Sequence, residues 1–426
     1  MKINIIGGGL AGVEASYYLA RNGYKVNLYD LKPDKLGPAF HYKDFFGELV
    51  CSNSLKSVNK DNASGLLKGE METLSSLIME ASKFSKLPSG QDLVVDREVF
   101  SSYITNKIKD NKNITIISKE VSELEEGNDI YNIVCTGPLT SSPLIEYFKG
   151  KYSSSFCSFY DAASPLIYLS SLDTTNMYYK SRYDKGEGKY LNVPLTSQEY
   201  YAFNDALVSG ERVELHDFEH FEGCLPIETM ASRGRDTLRF GPLKPKGLEK
   251  EGNRPYAVVQ LRQDDVAGSL YNLVGFQTNL KYSEQKRILS MLPGFKDVKL
   301  ARFGLMHRNT YISSPEALNR DLSLKNDSNT YIGGQFSGVE GYVESAATGL
   351  LAAIYLRLRL ENKKGVYFPI NTMMGSLVNY LVMASPKHFA PMNANYGIYQ
   401  YPFKMSKEEV YDYSIKSIEE WLKKNF

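Results

Sequence analysis

The sequence predicts an α/β protein in which a domain with a largely parallel sheet is interrupted by a smaller inserted α/β domain. Three observations predict this fold. Residues 2–30 have the pattern of a strand, a glycine-rich turn, a helix and a second strand. Further probable strands near residues 133 and 331 also run into small-residue turns. At 426 residues, the chain exceeds what one hydrophobic core usually organises.

The first glycine-rich turn predicts a dinucleotide site. A strand over residues 2–6 enters the turn, and a helical pattern then runs to Arg21. A second strand over residues 25–29 ends at Asp30, where a carboxylate would accept hydrogen bonds from a ribose. A purely structural turn is the alternative, and the agreement of strand, helix, second strand and acid disfavours it. The predicted binding residues of this turn are Gly7, Gly8, Gly9, Leu10, Ala11 and Gly12.

Two later turns favour FAD over NAD, a choice that the first turn leaves open. A strand over residues 133–138 ends in a small-residue turn with Thr136 and Gly137. A second glycine-rich turn over residues 331–342 leads into a long helix that ends near Leu360. Chain returns of this kind suit a permanently held FAD, with a second helix N-terminus directed at the flavin. The predicted contacts from this last turn are Gly334, Gln335, Gly338, Gly341 and Tyr342.

Composition excludes few functions. No apolar run reaches the ~18 residues of a membrane span. The first residues lack a secretory signal pattern, so we expect a cytoplasmic protein without a membrane partner. Because the four cysteines and five histidines show no ligand spacing, we expect free thiols and no metal. A net charge of +1 neither demands nor excludes nucleic acid.

Two of the cysteines have local sequences that suit chemistry. Cys51 lies among polar, cap-forming residues with Lys56 nearby, and thiolates are favoured beside cations. Cys224 lies between a glycine and Leu225-Pro226, with Glu222 and Glu228 on either side. An ordinary surface loop would look similar, so local sequence leaves both roles open. Cys135, by contrast, lies in an apolar run and is predicted to be a core residue.

From residue 2 to about residue 400, the chain resembles the folate- and FAD-dependent RNA uridine-5-methyltransferases, the bacterial family that makes ribothymidine in the transfer RNA T-loop. Long blocks carry this resemblance and are far more specific than the glycine motif. They are IGGGLAGVEA at 6–15, ELVCSNSL at 48–55, FEGCLPIE at 221–228, LRFGPLKP at 238–245, VGFQTNL at 274–280, MHRNTY at 306–311, GVEGYVES at 338–345 and PMNANYG at 391–397.

The resemblance implies both the reaction and the site residues. The methyl carbon would come from methylenetetrahydrofolate, reduced FAD would supply the electrons, and NADPH or NADH would regenerate it. Cys224 would attack carbon 6 of the uridine, and Cys51, beside the flavin, would take the carbon 5 proton. Attack at carbon 6 makes chemical sense, since carbon 5 of uracil is a poor nucleophile until an addition turns the ring into an enolate.

The implied architecture is a glutathione-reductase-like FAD-binding Rossmann domain over residues 1–165 and 305–426. The inserted domain, residues 166–304, would carry Cys224 and the RNA contacts. Its excess of basic residues could guide a folded RNA, although a solvated charged face would look the same. The C-terminal stretch, residues 404–426, predicts an amphipathic helix with Trp421 on its apolar side that docks on the body or on a partner. The basic residues near Cys224 in the insertion are Arg233, Arg235, Arg239, Lys244, Lys246, Lys250 and Arg254. Arg302 forms a second basic pair with Arg308, which lies just beyond the insertion.

One departure from the family pattern concerns the RNA target. The block at residues 190–195 has Val193 where the family usually has a third cysteine. Either this position is structural or the substrate has changed, so the same chemistry on 23S ribosomal RNA is the first alternative. A flavin-bearing RNA-binding scaffold or chaperone is an alternative of another class, but such a protein would lack the Cys224 block. A simple thiol oxidoreductase would need paired redox cysteines, which this sequence does not contain.

Overall fold

The computed structural model describes most of the chain. The described residues are 1–35, 40, 42–152, 156–162, 164–184, 190–213, 225–250, 252–304, 306–363, 365–400 and 405–426, with only the backbone described at 156–162 and 306–308. The strands are β1 (Lys2–Ile6), β2 (Val26–Asp30), β3 (Ser54–Ser57), β4 (Lys86–Leu87), β5 (Asp92–Val95), β6 (Ile114–Ser118), β7 (Ile130–Val134), β8 (Phe156–Ala162), β9 (Leu166–Tyr168), β10 (Tyr178–Lys180), β11 (Tyr190–Leu195), β12 (Ala257–Gln263), β13 (Leu270–Leu273), β14 (Leu300–Arg302), β15 (Met306–Ile312), β16 (Ser323–Leu324) and β17 (Asp327–Ile332).

The helices include one long, largely buried element, α11 (Tyr342–Leu360). They are α1 (Leu10–Arg21), α2 (Ala63–Thr73), α3 (Leu77–Phe84), α4 (Arg97–Lys109), α5 (Ser142–Tyr152), α6 (Ser197–Ser209), α7 (Ile227–Ser232), α8 (Thr237–Phe240), α9 (Tyr282–Leu289), α10 (Ser314–Ala317), α11 (Tyr342–Leu360), α12 (Met373–Met383) and α13 (Lys407–Asn425). Among the described residues, no helix combines the length and the apolar character that a membrane crossing requires.

The first sheet is the parallel sheet that the sequence predicts. Its strand order is β16-β17-β7-β1-β2-β6, and all neighbours are parallel except β16 and β17. The buried residues Ile5, Leu28 and Ile133 lie side by side across its centre. Because β1, β2 and β7 are parallel, their carboxyl ends meet at one edge of the sheet, the usual ligand edge of open α/β sheets. The prediction of an α/β fold is therefore confirmed.

A second sheet is built from the inserted part of the chain. Its order is β10-β11-β12-β13-β9-β14, and its neighbouring strands are antiparallel. The chain enters and leaves this region through β8 and β15, which pair with each other in an antiparallel ribbon. Pairing the two crossings fixes the entry beside the exit, so the insertion can be added to the parallel sheet without disturbing its strand order.

The apolar residues form two separate cores. The first core draws on residues 3–152 and 311–421, and the second on residues 167–298. This separation agrees with a discontinuous first domain and a compact insertion. The predicted boundaries at residues 165 and 305 remain a proposal.

Helix α11 is buried over most of its length and packs closely on α1. At Gly349, a Cβ atom would lie 2.3 Å from the Ala11 carbonyl oxygen, so only glycine lets the two helices approach this closely. The helix ends at Leu360, as predicted, and Arg357 and Arg359 lie in its last turn. It is thus a packed core helix with a polar C-terminal end.

The C-terminal helix α13 docks on the body of the protein. Trp421 is buried, and its indole Nε1 donates to the Tyr367 carbonyl at 2.8 Å. The buried carboxylate of Glu70 on α2 accepts hydrogen bonds from the Ser414 hydroxyl at 2.5 Å and from the amides of Met373 and Met374 at 2.6 and 2.8 Å. One side chain therefore joins α2, the N-terminus of α12, and α13.

The Glu70 carboxyl should make the stability depend on pH. Burial raises its pKa from an ordinary 4.5 to about 7, despite the hydrogen bonds that favour the carboxylate. Between these values the folded state binds more protons than the unfolded state, so stability falls as pH rises. Between about pH 5 and pH 7.5, the free energy of unfolding of the wild type should fall by about 2 kcal/mol more than that of Glu70→Gln. Urea unfolding at a constant FAD concentration measures this difference.

Glu72→Gln is the matched control, because Glu72 lies on the same helix but is exposed. This variant should keep the pH trend of the wild type. If the free energy of unfolding changes with pH in the same way in the wild type and in Glu70→Gln, Glu70 is not the group responsible for the pH dependence.

Candidate functional site

In the part of the chain that the structure describes, a large cleft lies where the carboxyl ends of β1, β2 and β7 meet the N-termini of α1 and α11. Its empty volume, counted together with the part that is open to solvent, is about 1270 Å³. Residues from all three predicted turns line it together, although they are far apart in sequence. The predicted residues in the lining are Gly7, Gly8, Gly9, Leu10, Ala11, Asp30, Thr136, Gly137, Gly334, Gln335 and Tyr342.

The glycines of the first turn have different tasks, and Gly12, which was predicted to bind the ligand, does not line the cleft. A Cβ at Gly7 would lie 2.4 Å from the Cys135 carbonyl oxygen, and the φ of +105° at Gly7 also favours glycine. A Cβ at Gly12 would lie 1.8 Å from the Gly7 carbonyl oxygen, so Gly12 serves helix packing and not the cleft lining. At Gly9 a Cβ would meet no protein atom within 4 Å, which leaves the backbone open to a ligand.

Asp30 lies at the end of β2 and is fixed by backbone amides on both sides. Its Oδ2 accepts from the Gly8 amide at 2.6 Å, and its Oδ1 accepts from the Lys32 amide at 2.9 Å. Each carboxylate oxygen can accept a further hydrogen bond. The carboxylate is therefore held rigidly at the cleft wall with capacity for ribose hydroxyls.

The second glycine turn brings the start of α11 to the cleft. Gly334 has a φ of +71°, and a Cβ there would lie 2.9 Å from the Ala11 Cβ, so this turn presses on the start of α1. Its amide donates to the Thr348 hydroxyl at 2.9 Å. Gly338 and Gly341 do not line the cleft, although Gly341 caps the N-terminus of α11.

Cys135 lies one residue beyond β7 and is buried. Desolvation raises the pKa of its thiol to about 12, so the thiol stays protonated near neutral pH. The prediction of a core residue is confirmed.

Part of the cleft wall has no signal in the sequence. Lys32 Nζ lies 2.9 Å from Glu48 Oε2, with both side chains buried, and also donates to the Phe45 carbonyl at 2.7 Å. The Phe40 ring lies 4.3 Å from the same ammonium group. Removal of either partner would leave the opposite charge in the protein interior without this counter-charge, which is strongly destabilising. The partners are sixteen residues apart with no shared motif, so only the fold reveals the pair.

The residues present fit FAD. Gly9 caps α1 without a side chain, so the first amides of this helix point to the cleft, and there is open space in front of Gly9 for a pyrophosphate. Asp30 can bind the adenosine ribose, and Tyr342 and Ser345 bring the N-terminus of α11 to the same cleft. The N-terminus of α1 can thus face the phosphates of FAD, and the N-terminus of α11 can face another part of the same ligand.

Cys51 lies beside this cleft on a segment that we call the thiol loop (residues 50–53), although Cys51 itself is not one of the lining residues. Val50 lines the cleft, and the amides of Cys51 and Ser52 both donate to the hydroxyl of Tyr342, at 2.7 and 2.9 Å. The Cys51 side chain is partly exposed. The backbone of Cys51, whose thiol was predicted to lie by the flavin, is therefore hydrogen-bonded to a side chain of the cleft lining.

The cations beside Cys51 differ from the one that the sequence suggested. Lys56 Nζ pairs with Glu344 Oε1 at 3.0 Å, so its charge is already balanced. The guanidinium groups of Arg97 and Arg302 donate instead to the Cys51 carbonyl, at 3.5 and 3.1 Å. Arg97 and Arg302 come from distant parts of the chain, and no local pattern could have identified them.

Cys224 lies outside the described residues, and so does Glu222. The chain that follows is firmly anchored. Glu228 on α7 is buried, and its carboxylate accepts from the Thr278 hydroxyl at 2.9 Å and from the Asn279 amide at 2.6 Å. The sequence suggested Glu228 as a charge flanking the thiol, but its hydrogen bonds show that it fixes α7 to the 274–280 block.

Val193 is fully buried in the second core. It lies on β11 opposite Val259 of β12. In this chain the position that departs from the family pattern is therefore a packing position.

The predicted basic residues of the insertion lie mainly at its surface. Between residues 233 and 254 the sequence has seven basic and three acidic residues. Lys244 and Lys246 are exposed. Arg302 is not part of this surface, because its guanidinium binds the thiol loop, and the Arg308 side chain lies outside the described residues.

Two arginines of this surface are stacked on tyrosines. The Arg235 guanidinium lies 4.7 Å from the Tyr201 ring centroid, and that of Arg239 lies 3.6 Å from the Tyr256 ring centroid. The two tyrosine hydroxyls are 2.6 Å apart. We call these four residues the Arg–Tyr ladder. Stacking holds each guanidinium in place while leaving N–H groups for acceptors such as phosphate.

The comparisons with known proteins cover nearly the whole chain. Residues 2–364 match the family described as glucose inhibited division protein A. The chain is 48% identical over 425 residues to methylenetetrahydrofolate–tRNA-(uracil-5-)-methyltransferase TrmFO of Bacillus subtilis (strain 168), covering 98% of this chain and 97% of the relative. The protein of the same name from Ligilactobacillus salivarius (strain UCC118) is 49% identical, covering 93% and 91%.

Solved structures show a similar fold. The structure of Aquifex aeolicus GidA in the form II crystal has a TM-score of 0.74 and 16% identity, and the match covers 99% of this chain and 73% of that one. The form I crystal has a TM-score of 0.73. At this identity the likeness concerns the fold alone.

Gly9→Ala separates a ligand role from a packing role. Gly9 has an extended backbone, and an added Cβ would have open space around it. The free energy of unfolding of the variant should therefore lie within about 0.5 kcal/mol of that of the wild type. The added methyl group should obstruct the phosphates and weaken FAD binding at least about tenfold, or about 1.4 kcal/mol, in flavin-fluorescence titrations. Gly150→Ala is the control, because Gly150 on α5 also has open space and lies away from the cleft. Equal FAD affinity in Gly9→Ala and wild type would exclude a phosphate at this turn.

Proposed function

Because the chain belongs to the family of methylenetetrahydrofolate–tRNA-(uracil-5-)-methyltransferases, within the wider glucose inhibited division protein A family, we propose that it methylates carbon 5 of a uridine in transfer RNA. The carbon would come from methylenetetrahydrofolate and the electrons from reduced FAD. The single observation that carries this proposal is near full-length similarity at about half identity to enzymes with this name. The family predicted by resemblance is confirmed.

The chemistry requires a nucleophile that activates the pyrimidine. We assign this role to Cys224, as the resemblance implies. A thiolate that adds to carbon 6 pushes electron density to carbon 5, which then attacks the one-carbon unit. The anchoring of α7 by Glu228 supports this role, because the segment just after Cys224 is held in one position.

A base must then remove the carbon 5 proton, and we assign this role to Cys51. The thiolate form of Cys51 would take the proton at Sγ, and the electron pair of the C5–H bond would form an exocyclic double bond as the bond to tetrahydrofolate breaks. Addition of a hydride to that methylene would then release the Cys224 thiolate from carbon 6 and restore the uracil ring. The position of Cys51 next to Val50 and Tyr342, which line the cleft, supports the assignment, because the base must work beside the flavin. When bound, reduced FAD supplies the hydride that completes the methyl group. Gly7–Ala11, Asp30 and Tyr342 would hold FAD.

The insertion supplies the RNA-binding surface in this proposal. The arginines of the Arg–Tyr ladder and the exposed Lys244 and Lys246 follow α7 in the sequence, close to Cys224 along the chain, and they offer cations to an RNA backbone. The ion pairs of Arg235 with Asp205 and of Arg239 with Asp236 partly balance this charge. The target uridine must leave its stack to reach the flavin and both thiols.

Transfer RNA is favoured over 23S ribosomal RNA as the target. The relatives carry transfer RNA in their names. The departure at Val193, which first raised the ribosomal alternative, lies in a packing position and gives no reason to change the substrate. A scaffold or chaperone would have no use for the Cys224 block. The choice of NADPH or NADH and the cytoplasmic location remain predictions.

The purified protein with FAD, methylenetetrahydrofolate and NADPH should form 5-methyluridine in a T-loop transfer RNA transcript, measured by mass spectrometry of nucleosides. Cys224→Ala and Cys51→Ala should lose at least about a thousandfold in rate, because each removes a reacting group. A transcript with cytidine at the target position is the RNA control. If 5-methyluridine forms only in a fragment of 23S ribosomal RNA, the target is ribosomal RNA and not transfer RNA. If it forms in neither RNA, the proposed function is refuted.

A covalent trap assigns the two thiols separately. RNA with 5-fluorouridine has no carbon 5 proton to lose, so it should stay bound to the nucleophile. We expect a stable adduct with wild type and with Cys51→Ala. An adduct that persists in Cys224→Ala would assign the nucleophile elsewhere.

The RNA surface is tested by salt dependence. The logarithm of the association constant for transfer RNA falls as the logarithm of the salt concentration rises. In the double variant Lys244→Gln, Lys246→Gln, this slope should be smaller in magnitude by about 2, and transfer RNA binding should be weaker at low salt. Lys416→Gln with Lys423→Gln, which removes two cations from α13, is the matched control and should leave the slope unchanged. An equal loss of slope in both double variants would mean that the charge acts without a defined contact surface.

A further inference from the structure

The thiol loop lies at the junction of the two cores and is held from both sides. From the first core, Arg97 on α4 donates through Nη1 to the carbonyl of Leu49, the residue just before the loop, at 2.9 Å. From the inserted part, Arg262 on β12 donates to the Ser52 hydroxyl at 2.6 Å and to Asn53 Oδ1 at 3.0 Å. The side-chain Nδ2 of Asn53 in turn donates to the Gln263 carbonyl at 3.0 Å.

Two guanidinium groups converge on the Cys51 carbonyl itself. Arg302 on β14 donates through Nη1 to the Val50 carbonyl at 3.0 Å and through Nη2 to that of Cys51 at 3.1 Å. Arg97 Nη2 approaches the same Cys51 carbonyl at 3.5 Å. A fork that spans two successive carbonyls fixes the loop backbone, which a single ammonium group cannot do.

The charges around Cys51 are mainly positive. Arg97 and Arg302 face it as cations, and Asp264 partly balances the first of them through contacts of 3.0 and 3.1 Å. Tyr342 faces it as a neutral group, because burial raises the pKa of its hydroxyl. Burial and the neighbouring Arg97 lower the pKa of Arg302, and a negative charge on Cys51 would act in the opposite direction. The thiol and the two guanidinium groups therefore interact electrostatically.

Further charges surround this group on the neighbouring elements. Arg262 is bound to the side chains of Ser52 and Asn53, and the pair of Lys56 with Glu344 lies beside the start of α11. Lys56 and Glu344 balance each other, so they add little net field. The excess of positive charge near Cys51 thus comes from the arginines.

We propose that Arg302 and Arg97 are positioning residues for Cys51, which hold its loop in place and stabilise its thiolate, so that Cys51 is ready to accept the carbon 5 proton. This inference rests on the proposed function for the identity of that proton. Arg262 and Arg302 come from the inserted part of the chain, which also carries Cys224. Correct docking of the insertion therefore also places the arginines that hold the loop of Cys51. One junction thereby links the two reacting groups.

The inference is tested on the thiol itself, independently of methylation. The FAD-bound protein is treated with iodoacetamide over a range of pH, and alkylation of the Cys51 peptide is followed by mass spectrometry. Arg302→Gln should raise the midpoint of Cys51 reactivity by about one pH unit, because one cation is lost. Asp264→Asn should lower the midpoint, because it removes the negative charge. Arg302→Lys keeps the charge and should stay near the wild-type midpoint.

Arg359→Gln is the matched control. Arg359 binds backbone and side chain near Ser328 and Asn329, away from the thiol loop, and its loss should leave the midpoint unchanged. Flavin absorbance and melting temperature verify that each variant is folded. Thiolate absorbance at about 240 nm, as the difference between each protein and its Cys51→Ser form, gives a second measure of the midpoint.

Opposite shifts in Arg302→Gln and Asp264→Asn support the inference. An unchanged midpoint in folded Arg302→Gln, or a raised midpoint in Asp264→Asn, overturns it. If Arg302→Gln does not fold, the Asp264→Asn result decides. A wild type that fails to methylate RNA would contradict the proposed function but would leave these midpoints as they are, so the two failures can be told apart.

Discussion

The close packing of α1 against the sheet and against α11 is the constraint on which the cofactor cleft depends. Gly12 lies against the Gly7 carbonyl, Gly349 against the Ala11 carbonyl, and Gly334 against the Ala11 side chain. Any larger residue at these places would push one of the helices outwards. Because the helices are this close, their two N-termini open on the same cleft, and their unpaired amides and dipoles act on one ligand.

The same packing determines where the thiol loop lies. Tyr342 is the first residue of α11, and its hydroxyl accepts the amides of Cys51 and Ser52. A shift of α11 would therefore move both the cleft lining and Cys51. The inserted core then supplies the arginines that complete the loop's hydrogen bonds. The reactive part of the molecule is thus built where two cores meet, which is a common location for ligand sites.

Much of the cleft could be predicted from sequence because its signals are local. A glycine turn, the strand before it and the acid after the next strand all lie within thirty residues, and their spacing reflects the geometry of one strand-helix-strand unit. The ends of α11 and the core position of Cys135 were predicted on similar grounds. The surroundings of Cys51 were not. Lys56 is near it in sequence and pairs with Glu344, whereas Arg97 and Arg302 are distant in sequence and bind its carbonyl.

By itself, the sequence determined the α/β class, the FAD cleft, the family and the two candidate thiols, since each depends on residue types at short, fixed spacings or on long blocks shared with relatives. Only the tertiary structure decided which charges act on Cys51, that Glu228 is an anchor, that Val193 is a packing residue and that Glu70 joins three helices. These properties depend on contacts between residues that are far apart along the chain. Such contacts leave no periodic or local trace, because they are created only when the two cores pack and exclude water.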